Sequence, residues 1–367
     1  MARVLIAKWA MEQGLLEKDS KVLLGEQYDL DRPLATGGAA RLFLARQLSL
    51  DREVVVKILR SQLSNQPEFR ERFIQEARLL AKLEHQNVVQ VIDFGEQDGY
   101  YYIIMEYVRG GSVRDLIERA EKLPIDVALA IGYFVARGID YVHQHQVLHL
   151  DVKPANILLT PAGVVKVADF GLARLIDQTG LNRDRRTPVG TPLYMSPEQV
   201  QGANLDARSD LFSFGSVLYQ LLAQQSPFEG KDSDQVLRRI LTCRVTSPSS
   251  LRPEIPLFVD DLVMGCLQRD RAQRYPDSGR LMADLHAALG KLAIHDPEER
   301  IRKYLSGPEL YRAVLKKPAH FRSRVVAKGR RRAWLQVLLV MALAGLYLAA
   351  ESYLLPLLAS WSERLPF

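Results

Sequence analysis

Strand-type and helix-type patterning are segregated along this 367-residue chain, and that segregation narrows the architectures open to it. Residues 42–45, 54–59, 88–94 and 100–108 are short runs rich in valine, isoleucine and aromatic residues, the composition of β-strands. One helix interrupts them. Over residues 68–83, Phe69, Phe73, Ala77 and Leu80 recur at spacings of four, four and three, which is one face of a 3.6-residue period. After Gly110 the apolar runs lengthen into helical patterns, as over residues 127–143 and 211–223. The reading is an α+β chain in which a small sheet-rich lobe precedes a larger, mainly helical one.

Composition excludes several other classes. With 47% hydrophobic and 25% charged residues the chain is neither disordered nor collagenous. Its two cysteines, Cys243 and Cys266, cannot make a disulfide framework and have no zinc-ligand spacing, so a reducing compartment is expected. The formal net charge of +6 is local: Lys316, Lys317, Arg322, Arg324, Lys328, Arg330, Arg331 and Arg332 follow one another with no acidic residue between them. Without them the chain carries 41 basic against 43 acidic residues, no excess positive field with which to bind nucleic acid.

Directly after this basic run, residues 333–350 carry no charge, and Gln336 is the single strongly polar side chain among them. As a helix this stretch is about 27 Å long, close to the hydrocarbon thickness of a bilayer. Trp334 and Tyr347 stand near its ends, and the basic run places its N-terminal side in the cytoplasm. The competing readings are a buried soluble helix or an interfacial one, and the lack of a polar face disfavours the latter. Residues 4–7 are too short an apolar run for a cleavable signal. The expected organisation is a lead segment (1–27), a small lobe (28–108), a large lobe (109–290), a linker ending in the basic run (291–332), a membrane span (333–350) and a short extracytoplasmic tail (351–367). That tail of seventeen residues is too small for a folded sensor, so input is expected from a partner, from helix association or from the cytoplasmic side.

The chemistry-bearing motifs lie between these elements. Leu34-Ala35-Thr36-Gly37-Gly38-Ala39-Ala40-Arg41-Leu42 is a turn of small residues between two strands. Backbone amides approach phosphate oxygens closely only where side chains are small, and an ordinary hairpin is the bland alternative. Val54-Val55-Val56-Lys57 ends an apolar run in a lysine, most simply a surface charge. Ile104-Met105-Glu106-Tyr107-Val108 reads as a strand end. His149-Leu150-Asp151-Val152-Lys153-Pro154-Ala155-Asn156 precedes the apolar strand Ile157-Leu158-Leu159, and Asp169-Phe170-Gly171 follows. Asp169 and Asn156 offer the hard oxygen ligands that Mg²⁺ requires. His143, His145 and His149 suggest a metal cluster at first sight, but a hard cation prefers oxygen, and that reading is set aside. Further on stand Gly190-Thr191-Pro192-Leu193-Tyr194-Met195-Ser196-Pro197-Glu198-Gln199, then Asp210 and Arg274.

In this order and at these separations the motifs resemble those of the eukaryotic-type serine/threonine protein kinases over residues 28–290, and the Ser-Pro-Glu-Gln ending resembles the bacterial, membrane-anchored members. The resemblance implies the two-lobed kinase fold, ATP as phosphoryl donor, Mg²⁺ with Mn²⁺ as an alternative, and protein Ser/Thr hydroxyls as acceptors. It implies that residues 34–40 and Leu42 cover the nucleotide and that Lys57 contacts the α- and β-phosphates, held by an ion pair with Glu76. It implies that Met105 is the gatekeeper, that the backbone of Glu106 and Val108 faces the adenine edge, and that Val55 and Leu158 line the purine pocket. Asp151 then orients the acceptor hydroxyl, Lys153 screens the γ-phosphate, and Asn156 and Asp169 bind metal, while Thr191 belongs to the serine/threonine-type loop. Phe170 packs with His149, Leu80 and Val91 in this reading, Asp210 accepts backbone hydrogen bonds from the catalytic loop, and Arg274 pairs with Glu198.

Four positions depart from the family pattern. Ala35 and Ala40 replace glycines, Val55 replaces an alanine above the adenine ring, and Leu150 replaces the arginine that pairs with an activation-loop phosphate. From Leu150 follows the expectation that transfer does not require a phosphate on the loop, although Arg183, Arg185 and Arg186 beside Thr187 can hold one locally. Two function classes remain: an active kinase on the cytoplasmic membrane, with a homodimer among its assemblies, or a membrane-anchored pseudokinase acting as a nucleotide-binding scaffold. None of the four departures supplies a reacting group, which favours activity.

Overall fold

The first strand among the described residues, at Leu23–Leu24, lies inside the segment expected to be a mere lead. The computed structural model describes residues 23–36, 40–170 and 192–307, without the side chains of Thr36, Gln62, Arg72 and Glu76, and all of them belong to one compact unit. Among these residues six antiparallel strands form the first sheet: β1 (Leu23–Leu24), β2 (Tyr28–Thr36), β3 (Ala40–Gln47), β4 (Arg52–Leu59), β5 (Val91–Gln97) and β6 (Tyr100–Glu106), in the order β1-β2-β3-β4-β6-β5. Leu24 is almost fully buried, so the packed unit begins before residue 28.

Strand alternation decides which side chains of β4 can reach the interlobe cleft. Val54, Val56 and Ile58 pack with Tyr28, Leu30, Phe43 and Ile104 on one face of the sheet. Val55 and Lys57 therefore point to the other face, where Leu59 joins a second cluster with Phe73, Ala77, Leu80 and Val91. A short helix, α1 (Ser61–Ser64), leads into α2 (Pro67–Leu80), whose Pro67 occupies the first turn, where no backbone N–H is needed. The predicted apolar stripe of Phe69, Phe73, Ala77 and Leu80 is buried along its length.

The large lobe is built around α4 (Ile125–Gln144), preceded by α3 (Val113–Arg119). Twelve residues of α4 are buried on all sides, which makes it the lobe's central rod. Around it stand α5 (Pro197–Gln201), α6 (Ala207–Ala223), α7 (Ser233–Thr242), α8 (Pro248–Leu251), α9 (Leu257–Cys266) and α10 (Ser278–Lys291). A small sheet of β7 (Gly111–Ser112), β8 (Ile157–Leu159) and β9 (Val165–Val167) carries the loops of the cleft.

One segment stitches the lobes together. The Val89 N–H donates to Val167 O and the Val167 N–H to Asn87 O, both at 2.9 Å, while the Asn87 amide donates to Val165 O. This close approach depends on Gly138 of α4, because a Cβ there would stand 2.6 Å from Asn87 O.

The packed unit also runs past residue 290. Residues expected to begin a linker form α11 (Pro297–Leu305), with Ile301 and Leu305 buried and Arg300 bound through two hydrogen bonds to Asp126. No helix among the described residues is long and apolar enough to cross a membrane, and residues 333–350 lie outside them.

Candidate active site

The small lobe brings a hairpin and a lysine to the cleft. β2 closes on β3 with Ala35 opposite Leu42 and Thr36 opposite Arg41, and Leu34 sits at an irregularity in the pairing. Gly37, Gly38 and Ala39 at the tip lie outside the described residues. Leu42 stands opposite Lys57, and Val55 lies between Leu44 and Met105. Lys57 is only 7% exposed, and its Nζ lies 2.5 Å from Asp169 Oδ1. The sequence reading gave this lysine to Glu76. Glu76 lies on α2 with its side chain outside the described residues, and Lys57 forms its ion pair with Asp169.

Beyond Val55 the strand β6 ends at the hinge. Met105, Lys57, Leu80, Val91, Asp169 and Phe170 line a small cavity behind it. The Glu106 N–H donates to Gln90 O at 3.0 Å, and its carboxylate accepts from the Gln90 N–H at 2.8 Å and from Lys166 Nζ at 2.6 Å. Lys166 belongs to β9, so the hinge is pinned to the large lobe. Val108 follows, half-buried, just past the strand.

The catalytic loop is held by buried polar groups. Asp210, fully buried on α6, accepts from the backbone N–H groups of His149 (2.8 Å) and Leu150 (2.7 Å) and contacts His143 Nε2 at 2.8 Å. These bonds hold Leu150 at a φ of 59°, a conformation that costs a branched side chain on the order of 1 kcal/mol. His149 Nδ1 accepts from the Asp151 N–H at 3.2 Å, so Nε2 carries the proton and donates to Ala168 O at 3.1 Å. Burial lowers the His149 imidazole below its usual value against the pull of Asp210 and Asp151. The ring also packs on Phe170, centroid to centroid 4.5 Å.

Asp151 is 22% exposed, and its Oδ2 accepts from Lys153 Nζ at 2.5 Å and from the Asn156 amide at 3.0 Å. The Ala168 N–H donates to Asn156 O at 2.8 Å, which sets Asp169 beside this loop. Asp169 has a φ of 62°, and its side chain is 36% exposed toward the cleft. Burial opposes its ionisation, but the charge and hydrogen bond of Lys57, with Lys153 behind, prevail, so its carboxyl lies below the usual carboxylate value. Leu158, half-buried on β8, stands opposite Ser112 and Lys166.

Two oxygens test whether a divalent cation fits. Asn156 is buried and its Oδ1 has no hydrogen-bond partner, an orphaned acceptor of the kind that interiors rarely leave unused. With the ionised Asp169 it makes a hard-oxygen set that suits Mg²⁺ or Mn²⁺. The histidines are engaged elsewhere: His143 with Asp210 and Ser278, His145 with Tyr141 O, His149 with Ala168 and Asp151.

Below the loop, Arg274 donates to both oxygens of Glu198, at 2.7 and 2.9 Å, and Ser209 Oγ donates to Glu198 Oε1 at 2.7 Å. Burial would raise the Glu198 carboxyl, yet these bonds bring it down to about 2. Thr191 lies outside the described residues, as do Thr179 and Thr187. Three contributors escaped the sequence reading. Lys166 gave a signal only as the polar member of the alternation Val165-Lys166-Val167, His143 drew attention only as a rejected metal ligand, and Gln199 only as a mark of the bacterial branch.

A β-rich lobe whose buried lysine meets a carboxylate from a helical lobe, beside an Asp–Lys–Asn loop, defines the protein kinase class. The protein kinase domain model matches residues 28–282, and the chain belongs to that family. It is 38% identical over 263 residues to the probable serine/threonine-protein kinase CPE1738 of Clostridium perfringens, covering 72% of this chain and 38% of that protein. It is 32% identical over 330 residues to serine/threonine-protein kinase PrkC of Bacillus subtilis, covering 86% of this chain and 51% of that one. The chain thus spans about two fifths to one half of the length of these curated relatives. The crystal structure of the Mycobacterium tuberculosis PknI kinase domain superposes with a TM-score of 0.58 at 26% identity, covering 74% of this chain and 99% of that domain.

Proposed function

We propose that this protein transfers the γ-phosphoryl group of ATP to serine and threonine hydroxyls of protein substrates. The observation that carries the reading is the convergence on one cleft of Lys57, Asp169, Asp151, Lys153 and a buried, unpartnered Asn156 Oδ1. Lys57 supplies positive charge from the small lobe for phosphate oxygens of the bound nucleotide, at a site where burial strengthens the interaction. Asp151 orients the acceptor hydroxyl and takes its proton as the oxygen forms its bond to the γ-phosphorus and the bond to the β–γ bridging oxygen breaks, leaving ADP. Lys153, already beside Asp151, screens the charge of the transferring group. Asn156 Oδ1 and Asp169 would hold the divalent cation, which when bound neutralises phosphate charge.

The location of the protein is part of the same reading. The uncharged residues 333–350 behind eight basic ones support a single span in the cytoplasmic membrane, with the catalytic unit on the cytoplasmic side and the basic run against anionic lipid. Retention of the full chain in the membrane pellet after alkaline carbonate washing is expected, and its release would overturn the anchor alone.

Activity is tested by incubating the full chain with γ-labelled ATP, Mg²⁺ and a protein acceptor, beside an Asp151→Asn variant. Transfer is expected from the wild type and a loss on the order of a thousandfold from the variant. Equal incorporation by both would favour the scaffold instead.

A further inference from the structure

The peptide unit between Leu150 and Asp151 is gripped at both of its polar atoms by side chains. Its N–H, that of Asp151, donates to His149 Nδ1 at 3.2 Å. Its carbonyl, that of Leu150, accepts from Gln199 Nε2 at 3.3 Å. The preceding N–H of Leu150 is held by Asp210 at 2.7 Å, and φ at Leu150 is 59°, so the carbonyl stands in a backbone that would relax if released. His149 and Asp210 are buried parts of the core. Gln199 is different, because it sits on α5, 49 residues along the chain from the residue it holds.

The other end of the Gln199 side chain has a separate duty. Its Oε1 accepts from the Ser196 N–H at 2.9 Å, while Ser196 Oγ accepts from the Gln199 N–H at 3.4 Å, a reciprocal capping box at the start of α5. One amide therefore caps a helix with its oxygen and ties the catalytic loop with its nitrogen. Only an amide of this length offers an acceptor and a donor on one planar group; glutamate would keep the cap and lose the tie.

From this we infer that Gln199 is a positioning residue for phosphoryl transfer: it sets the plane of the Leu150–Asp151 peptide, and through it the Asp151 carboxylate, from the segment that follows the activation loop. The inference rests on the kinase reading above. It explains physically how a chain with Leu150 in place of a phosphate-binding arginine fixes its catalytic loop: a neutral hydrogen bond to the loop's backbone needs no phosphate and is indifferent to the side chain at residue 150. Gln199 bonds to Ser196 and to Leu150 O, while Lys57 bonds to Asp169 and Asn156 to Asp151, so the effect falls on the acceptor half of the reaction.

Two substitutions in the full chain separate the duties. Gln199→Glu still accepts from the Ser196 N–H but cannot donate to Leu150 O. Gln199→Lys offers a donor to that carbonyl but no acceptor for the cap. For Gln199→Glu the expected result is an unchanged Tm, an ATP KM within about twofold of wild type, and a kcat for peptide phosphorylation lower by about tenfold. For Gln199→Lys a Tm lower by about 2–4 °C is expected, with kcat within about threefold of wild type. A wild-type kcat in Gln199→Glu, or kcat losses in both variants that follow their Tm losses, would show a merely structural cap and overturn the inference. If the wild type itself transfers no phosphate, the kinase reading falls and this inference with it; if the wild type transfers and Gln199→Glu matches it, only the inference falls.

Discussion

The two walls of the cleft are held by different physics. On the small-lobe side, strand alternation places Val55 and Lys57 on the sheet face that also carries the apolar cluster of Leu59, Phe73, Leu80 and Val91. The ion pair of Lys57 is with Asp169, a residue of the opposite wall. On the large-lobe side, the catalytic loop hangs from buried polar groups, Asp210 and His149, with the Glu198–Arg274 pair beneath. Apolar packing is tolerant of shape-conserving change and sets where an element lies. Buried hydrogen bonds are directional, and they hold Leu150 in a conformation that packing alone would release. The wall that must orient an acceptor to within a fraction of an ångström is the one built from directional bonds.

The largest break in this contrast is expected at Asp210. Its two oxygens receive two backbone N–H groups and His143, and an amide in its place would turn an N–H donor toward one of them. Asp210→Asn should therefore lose roughly 3–5 kcal/mol of stability, read by urea unfolding, and transfer activity should fall with it even where the protein remains folded. Stability and kcat both equal to wild type would mean that the loop geometry is set by packing after all.

Glu198 sharpens the same contrast through pH. Its carboxyl is held at about 2 in the folded state against an ordinary value of 4.5. A depressed folded value contributes stability that is complete above the unfolded value and is lost as pH falls from about 4.5 toward about 2. That window corresponds to on the order of 3 kcal/mol. The difference in unfolding free energy between wild type and Glu198→Gln should thus shrink as pH is lowered through it, measured by denaturant titration at several pH values. A difference that stays constant across that window would place the ionisation of Glu198 outside the stability of the lobe.

How much of this was legible beforehand follows the same division. Asp151, Lys153 and Asn156 stood out by their close offsets within one loop, Lys57 and Asp169 took their roles from the resemblance, and the buried stripe of α2 stood out because helical period is local. The directional wall was only partly readable. Asp210 and the Glu198–Arg274 pair followed from the resemblance, but Gln199 reaches Leu150 and Lys166 reaches Glu106 across turns of the fold that no spacing encodes. The limits of the unit were misplaced for a related reason. β1 is only two leucines and α11 buries only Ile301 and Leu305, too little periodic pattern to announce that β1 joins the sheet or that α11 packs on α4.

The smaller effects belong to the tolerant wall. Val55, where the kinase pattern this sequence resembles usually has alanine, lies on the sheet face opposite to Val54 and Val56 and between Leu44 and Met105. Because it points to the cleft and is not part of the buried cluster, shortening it removes little packed surface and widens the space offered to a purine. Val55→Ala should lower the KM for ATP by about threefold while leaving kcat unchanged, which is less than about 1 kcal/mol of binding. Measured ATP titrations at saturating acceptor would check this. A rise in KM would show instead that the valine methyls grip the nucleotide, and the hairpin's own departures at Ala35 and Ala40 would then have to be read as compensating for a tighter pocket.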